Sequence, residues 1–210
     1  MEHKIITVEG NIGSGKTSFA RKIAHDFNAR LILETFADNP FLQKFFVKQK
    51  DYALGMEMFF MAERYEQLKV VFNDIELIQD KVVIDYLFTK SLLYAQVNLD
   101  ETEFTLYRKI FNILNPKMIT SDIIIYLHSN LDRLVSNIQQ RGREFEQTVQ
   151  KDYLLKIEKA YFDYFSHHPL QKILILDVSE ADFVGNNYHY TKMHDIITSD
   201  LPDGISRFKI

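Results

Sequence analysis

Apolar residues fall into two alternating patterns along the chain. Short, mostly apolar runs occupy residues 5–8, 30–33, 82–84, 123–127 and 173–176. Their near-continuous Ile, Val and Leu content predicts strands buried on both faces, since a half-buried strand would alternate apolar with polar positions. Between the runs, apolar residues recur three and four apart. Phe19, Ala20, Ile23, Ala24 and Phe27 form one such stripe, which predicts an amphipathic helix. Strands alternating with helices predict an α/β fold: a parallel five-stranded sheet flanked by helices on both faces. Ligands of such sheets bind beyond the carboxyl ends of the strands. A polar residue follows each run there: Glu9, Glu34, Asp85, His128 and Asp177.

Residues 51–72 predict one long helix whose stripe is broken twice. At 100° per residue, Glu63, Glu66, Gln67 and Lys69 share one side, and Ala53, Leu54, Phe60, Met61, Leu68 and Val71 the other. Glu57 and Arg64 fall in the middle of the apolar side. Charges there are costly unless they are paired or meet a ligand. Two readings are open: a structural Glu–Arg pair, or a helix bordering a polar cleft in which both residues touch one substrate. A seven-residue spacing is too long for direct contact along a straight helix, which favours the cleft.

Residues 10–17 read GNIGSGKT and fill every fixed position of the G-x-x-x-x-G-K-[ST] phosphate loop. They stand between the first predicted strand and the first predicted helix, as a P-loop NTPase fold requires. The backbone of Gly10, Asn11, Ile12, Gly13, Ser14 and Gly15 is expected to cradle phosphate oxygens. Lys16 would reach the terminal phosphates, Thr17 would offer a hydroxyl to Mg²⁺, and the helix would point its positive end at the same anion. Glu34, at the end of the second run, could take a proton from a hydroxyl attacking the γ-phosphate; a solvated strand-end glutamate is the alternative. Arg141-Gly142-Arg143 closes another predicted helix. Beyond its end both guanidiniums can converge on one anion, as a lid would.

Length and charge narrow the classes further. The 210 residues suffice for one α/β domain, taken as residues 1–210. A formal net charge of −4 argues against broad binding to a nucleic-acid backbone. No apolar run approaches a membrane span. Cysteine is absent, which excludes disulfides and thiol nucleophiles. The first residues lead directly into the first strand, so no signal peptide is expected, and a cytoplasmic enzyme is the simplest reading.

Five segments in order, VEGNIGSGKT, ETFADNPFLQKFF, FFMAERYEQL, QRGREFEQ with KDYLLKIEKAYFDYF, and ILDVSEADF, span nearly the whole chain. In sequence and spacing they resemble the deoxyribonucleoside kinases, with members acting on deoxyadenosine, deoxyguanosine or deoxycytidine. The resemblance implies ATP and a deoxynucleoside as substrates, Mg²⁺ as cofactor, and a homodimer to which the aromatic segment 153–165 could contribute. It implies Glu34 as general base and Arg64 as the arginine holding the 5′-hydroxyl and that carboxylate. Arg141 and Arg143 become lid contacts to ATP, Glu146 a contact to the sugar 3′-hydroxyl, and Asp182 and Phe183 the border of the adenine. Asp85 would join Thr17 in organising Mg²⁺.

The chain departs from the family pattern at three places. Tyr86 and Leu87 follow Asp85 where an arginine and a serine are usual, leaving Lys90 as a cation that could reach in. Phe46 stands where many members have a tyrosine against the sugar. Glu57 replaces a glutamine that reads the base; an ionised glutamate only accepts hydrogen bonds, which favours bases presenting N–H groups and leans toward a purine. A nucleoside-monophosphate kinase, and a nucleotide-binding module with reduced catalysis, are the alternatives.

Overall fold

The computed structural model describes residues 3–35, 39–75, 81–118 and 120–210. At its centre is a parallel sheet of six strands in the order β2-β3-β1-β4-β5-β6. The strands are Ile5–Gly10 (β1), Arg30–Ile32 (β2), Val82–Ile84 (β3), Ile123–His128 (β4), Ile173–Asp177 (β5) and Ile205–Lys209 (β6). Five coincide with the five apolar runs. The sheet has six strands rather than the expected five, because β6 pairs with β5 alone at an edge. Its sequence, ISRFK, is mostly exposed and carries no buried run to betray it.

Alternate residues of the central strands feed two separate cores, which is why these strands read as continuous apolar runs. On one face, Ile6, Val8, Ile125, Leu127, Leu174 and Leu176 pack against helix α1 (Lys16–Asp26) and helix α8 (Asn187–Thr198). Phe19 and Ile23 of α1 are fully buried here, worth about 1.5–3 kcal/mol each in apolar area removed from water. The opposite face carries α3 (Gln49–Ile75), α4 (Lys90–Asn98), α5 (Glu101–Leu114) and α7 (Lys151–Ser166). Met61, Leu68, Tyr107 and Phe111 meet Val82 and Ile84, while Ile157, Tyr161 and Phe165 meet Ile124, Tyr126 and Ile175. Two further helices, α2 (Leu42–Val47) and α6 (Leu131–Arg141), flank the carboxyl ends of the strands.

Helix α3 contains the whole predicted 51–72 helix; the side chain of Val71 and residues 36–38 of the ETFADNP segment lie outside the described residues. Segment 153–165 belongs chiefly to the core. Tyr126 packs on Tyr161 at 5.1 Å and on Phe165 at 5.3 Å between ring centroids.

Strand β1 sits between β3 and β4, in register from Thr7 opposite Ile84 to Gly10 opposite Leu127. The chain runs to one side of β1 through β2 and β3, then crosses to the other side for β4. This reversal opens a crevice at the carboxyl end of β1, where ligands of doubly wound sheets bind.

Candidate active site

The phosphate loop leaves β1 at Gly10 and enters α1 at Lys16. Gly13 (φ 84°) and Gly15 (φ 89°) hold left-handed backbone. A Cβ on Gly15 would lie 2.7 Å from a ring carbon of Phe183, and one on Gly13 2.7 Å from the Leu134 carbonyl. Both positions therefore require glycine by angle and by space. Asn11 is buried and ties the loop to α7: its Nδ2 donates to the Leu154 carbonyl at 2.7 Å, while its Oδ1 accepts from Ile12 N at 2.9 Å. Asn137 of α6 donates to the Gly13 carbonyl at 2.8 Å. Lys16 Nζ donates to the Asn11 carbonyl at 2.8 Å. Burial, with Lys90 nearby, lowers the Lys16 pKa to about 8 against the pull of Glu9, Glu34 and Asp85. The first N–H groups of α1 lack partners within the helix, as at any helix start, and face the same crevice.

Two clefts meet at this loop. One runs over Gly13, Ser14, Gly15 and Arg21 to Arg133 and Gln140 of α6 and to the 181–184 loop. The other is walled by Phe46, Met56, Phe60, Phe145 and Tyr153 and holds Glu57, Arg64, Asp85, Lys90 and Glu146. Lys16, Thr17, Glu34, Arg141 and Arg143 line both. The sequence-derived candidates thus converge on one place, with Gly10 and Asn11 shaping the loop from beneath.

Glu34, just beyond β2, is the centre of this junction. Its Oε1 accepts from Arg64 Nε at 2.9 Å and NH2 at 2.6 Å, and its Oε2 accepts from Lys90 Nζ at 2.5 Å. Burial alone would raise its pKa; Lys90 and then Arg64 more than offset this and leave it at about 2. The Glu34 backbone N–H donates to Asp85 Oδ1 at 2.6 Å, and Thr17 Oγ1 donates to Asp85 Oδ2 at 2.8 Å. The Thr17 and Asp85 oxygens are hard donors of the kind Mg²⁺ takes, so these two residues fit that ion and would hold it.

Glu57 and Arg64 line the cleft, and they do not pair through a hydrogen bond. Arg64 spends its third contact on Ser91 Oγ at 2.8 Å. Glu57 Oε1 accepts from Asn98 Nδ2 at 2.6 Å, whereas Oε2 is buried with no partner among the described residues. Burial raises the Glu57 pKa to about 7, with Arg64 and the Asn98 bond opposing. Lys90, Ser91, Asn98 and Asn137 were not among the sequence-derived site residues, apart from Lys90 as a possible reach. Tyr86 and Leu87 do not reach the cleft chemically: the buried Tyr86 donates its hydroxyl to Gln67 Oε1 at 2.8 Å, and Leu87 N donates to Glu9 Oε1 at 2.7 Å.

The lid lies across the cleft. Arg141 ends α6, and both it and Arg143 pair with the buried Glu146, Arg143 NH1 at 3.2 Å from Oε1. The anion on which the two arginines converge here is therefore Glu146. Phe145 packs on Phe46 at 5.9 Å. In the 181–184 loop, Asp182 Oδ1 accepts from Gly185 N at 2.8 Å and Val184 N at 3.2 Å, which shapes the loop. Phe183 turns its ring onto Phe19 at 5.5 Å, beneath Gly15.

Comparison with known proteins agrees with this layout. Among curated relatives, the deoxyguanosine kinase of Bacillus subtilis (strain 168) is 31% identical over 192 residues, covering 90% of this chain and 93% of its own. The deoxyadenosine/deoxycytidine kinase of the same organism is 24% identical over 210 residues, covering 96% and 95%. Among solved structures, a deoxyadenosine kinase from M. mycoides with bound dATP aligns with a TM-score of 0.79 at 20% identity, over 92% of this chain and 98% of that one. The profile of the family described as "Deoxynucleoside kinase" matches residues 6–201, from the strand that precedes the phosphate loop to just beyond α8. A match of that extent, over a P-loop sheet with a carboxylate at the meeting point of two clefts, means that this chain belongs to the deoxynucleoside kinase family.

Proposed function

We propose that residues 1–210 form one P-loop kinase domain that transfers the γ-phosphate of ATP to the 5′-hydroxyl of a deoxynucleoside, with a lean toward purines. The observation that carries this reading is the pair of clefts meeting at Lys16, Thr17, Glu34, Arg141 and Arg143. A donor in the loop-side cleft and an acceptor in the aromatic-walled cleft would bring their reacting atoms together at Glu34.

The 5′-oxygen attacks the γ-phosphorus, the bond to the β,γ-bridging oxygen breaks, and the hydroxyl proton passes to Glu34. With a pKa of about 2, Glu34 is fully ionised at neutral pH but is a weak base. In a loose phosphoryl-transfer transition state the proton leaves late, so the fixed direction of the carboxylate matters more than its basicity. Lys16 and the N-terminus of α1 hold the donor phosphates. Arg141 and Arg143 exchange Glu146 for those phosphates, freeing Glu146 for the sugar hydroxyl. Thr17 and Asp85 would hold Mg²⁺, which when bound offsets charge on the donor phosphates.

At the far end of the acceptor cleft, the orphaned Oε2 of ionised Glu57 accepts an N–H from the base. Adenine and guanine present such groups, as does cytosine. Relatives named for deoxyguanosine and deoxyadenosine support the purine lean.

A homodimer and a cytoplasmic location complete the proposal. Exposed Leu106 and Ile113 line up with Ile110 along α5, an apolar stripe suited to a second copy. No helix of the described residues is long and apolar enough to cross a membrane. ADP release is to be followed with ATP, Mg²⁺ and each of the four deoxynucleosides, and in parallel with their 5′-monophosphates. Turnover with nucleosides supports the reading. Turnover confined to monophosphates would replace it with a monophosphate kinase, and tight binding without product would leave a binding module.

A further inference from the structure

A carboxylate offers about four lone-pair positions, two on each oxygen. On Glu34, Arg64 Nε and NH2 both bond Oε1 and fill its two positions. Lys90 Nζ takes one position on Oε2. Among the contacts of the described residues, the one acceptor position left open is the second lone pair of Oε2, next to the Lys90 ammonium.

Lys90 is an unusual lysine. It is buried, and it is the first residue of α4, where a cation opposes the helix dipole. Lysines are almost never fully buried unless paired, so the site must compensate for both costs. The ammonium bonds Glu34 at 2.5 Å and lies 5.4 Å from the Tyr94 ring centroid. Tyr86, four residues earlier, is turned into the core, which leaves Lys90 as the cation that this segment delivers to the junction.

We propose that Lys90 is the positioning residue of phosphoryl transfer: it fixes Glu34 from the side opposite Arg64, so that only the open Oε2 lone pair meets the acceptor hydroxyl. The proposal rests on the kinase reading for its acceptor, and on geometry alone for the Glu34 contact. The other titratable or charged groups around Glu34 are Lys16 of the phosphate loop, Glu57 on α3, Asp85 and Tyr86 after β3, and Tyr94 on α4. Across the cleft stand Arg141 and Arg143, held by Glu146.

The test compares the wild-type protein with Lys90→Met and Lys90→Arg. Crystal structures of the three proteins without substrate read the direction of the Glu34 carboxylate. Expected is a carboxylate turned from its wild-type direction in Lys90→Met and held in it in Lys90→Arg; an unmoved carboxylate in Lys90→Met overturns the proposal. In turnover, Lys90→Met should lose ~10–100-fold in kcat, the scale of a misdirected general base. KM for ATP should change little, and Lys90→Arg should recover most of the rate. A kcat within twofold of wild type, a loss confined to the KM for ATP, or a loss with no recovery by arginine would each overturn it. Absence of wild-type turnover would remove the kinase reading alone, and the direction of the Glu34 carboxylate would still decide whether Lys90 controls it.

Discussion

Replacing Glu57 by glutamine should make the protein progressively more stable relative to the wild type as pH rises from mild acid to mild alkali. The Glu57 carboxyl is 1% exposed, with Asn98 on one oxygen and nothing on the other among the described residues. Burial raises its pKa from 4.5 to about 7 in the folded protein. Below pH 4.5 the group is protonated both folded and unfolded, so it costs the fold nothing. Between pH 4.5 and 7 the unfolded chain ionises while the folded protein holds its proton, and stability falls. Above pH 7 both forms are ionised and the full loss persists. At about 1.4 kcal/mol per pH unit, the loss comes to roughly 3 kcal/mol.

Glu57→Gln removes the proton and keeps the shape. Any fixed cost or gain of the amide is the same at every pH and cancels in the difference between two pH values. For a domain of this size, the melting-temperature gap between variant and wild type should widen by roughly 5–12 °C from pH 5 to pH 8. Differential scanning calorimetry at the two pH values reads this directly. A gap that stays constant, or that favours the wild type more at pH 8, would show that Glu57 keeps an ordinary carboxylate pKa and that the cleft end is wet. In turnover, an amide both donates and accepts, so the variant should also discriminate less among bases in the four-nucleoside panel.

Lys16→Ala and Glu34→Gln should each lower kcat by at least ~100-fold with the fold intact by circular dichroism; near-wild-type turnover of Glu34→Gln would remove Glu34 from the reaction. Glu34 should also contribute to acid unfolding. Its folded pKa lies below its ordinary 4.5, so its stabilising effect is complete above pH 4.5 and is lost as pH falls toward 2; in Glu34→Gln, the slope of melting temperature against pH over that window should flatten. Gly15→Ala forces a Cβ to within 2.7 Å of the Phe183 ring at a φ of 89°, and should lower stability by ~1–3 kcal/mol and weaken ATP binding; an unchanged urea midpoint would contradict the close packing of loop on ring. Ile113→Asp should turn the proposed dimer into a monomer by sedimentation, and a dimer that survives would move the interface off α5.

What was legible in the sequence follows from how locally each feature is encoded. The phosphate loop recognises anions with consecutive backbone groups, so eight adjacent residues carry nearly all of it. Strands β1, β3, β4 and β5 are buried on both faces and announce themselves as apolar runs; β6, exposed at an edge, does not. Glu57 and Arg64 were visible as charges misplaced in a helical stripe, but their partners were not. Arg64 pairs with Glu34 from β2's end and Ser91 from α4, and Glu57 with Asn98 at the far end of α4. Such contacts join segments 27 to 41 residues apart, and only the assembled sheet brings them together.

The same distinction bears on where the sequence departs from the family pattern it resembles. In the proposed reaction, donor phosphates would be held largely by backbone, which tolerates little substitution, and GNIGSGKT is intact. The acceptor would be held by side chains of α3, α4 and the lid, which can exchange duties. Tyr86 withdraws into the core and Lys90 brings a cation to the same carboxylate from the start of α4. Glu57 adds a carboxyl to a cleft already holding Glu34 and Glu146, and three cations, Arg64, Lys90 and Lys16, converge around Glu34. Removing any one cation leaves a neighbouring carboxylate under-compensated in a buried site. Substitutions at Glu57, Arg64 and Lys90 should therefore be non-additive in double-mutant cycles, with Glu57→Gln relieving part of the stability lost in an Arg64→Gln variant.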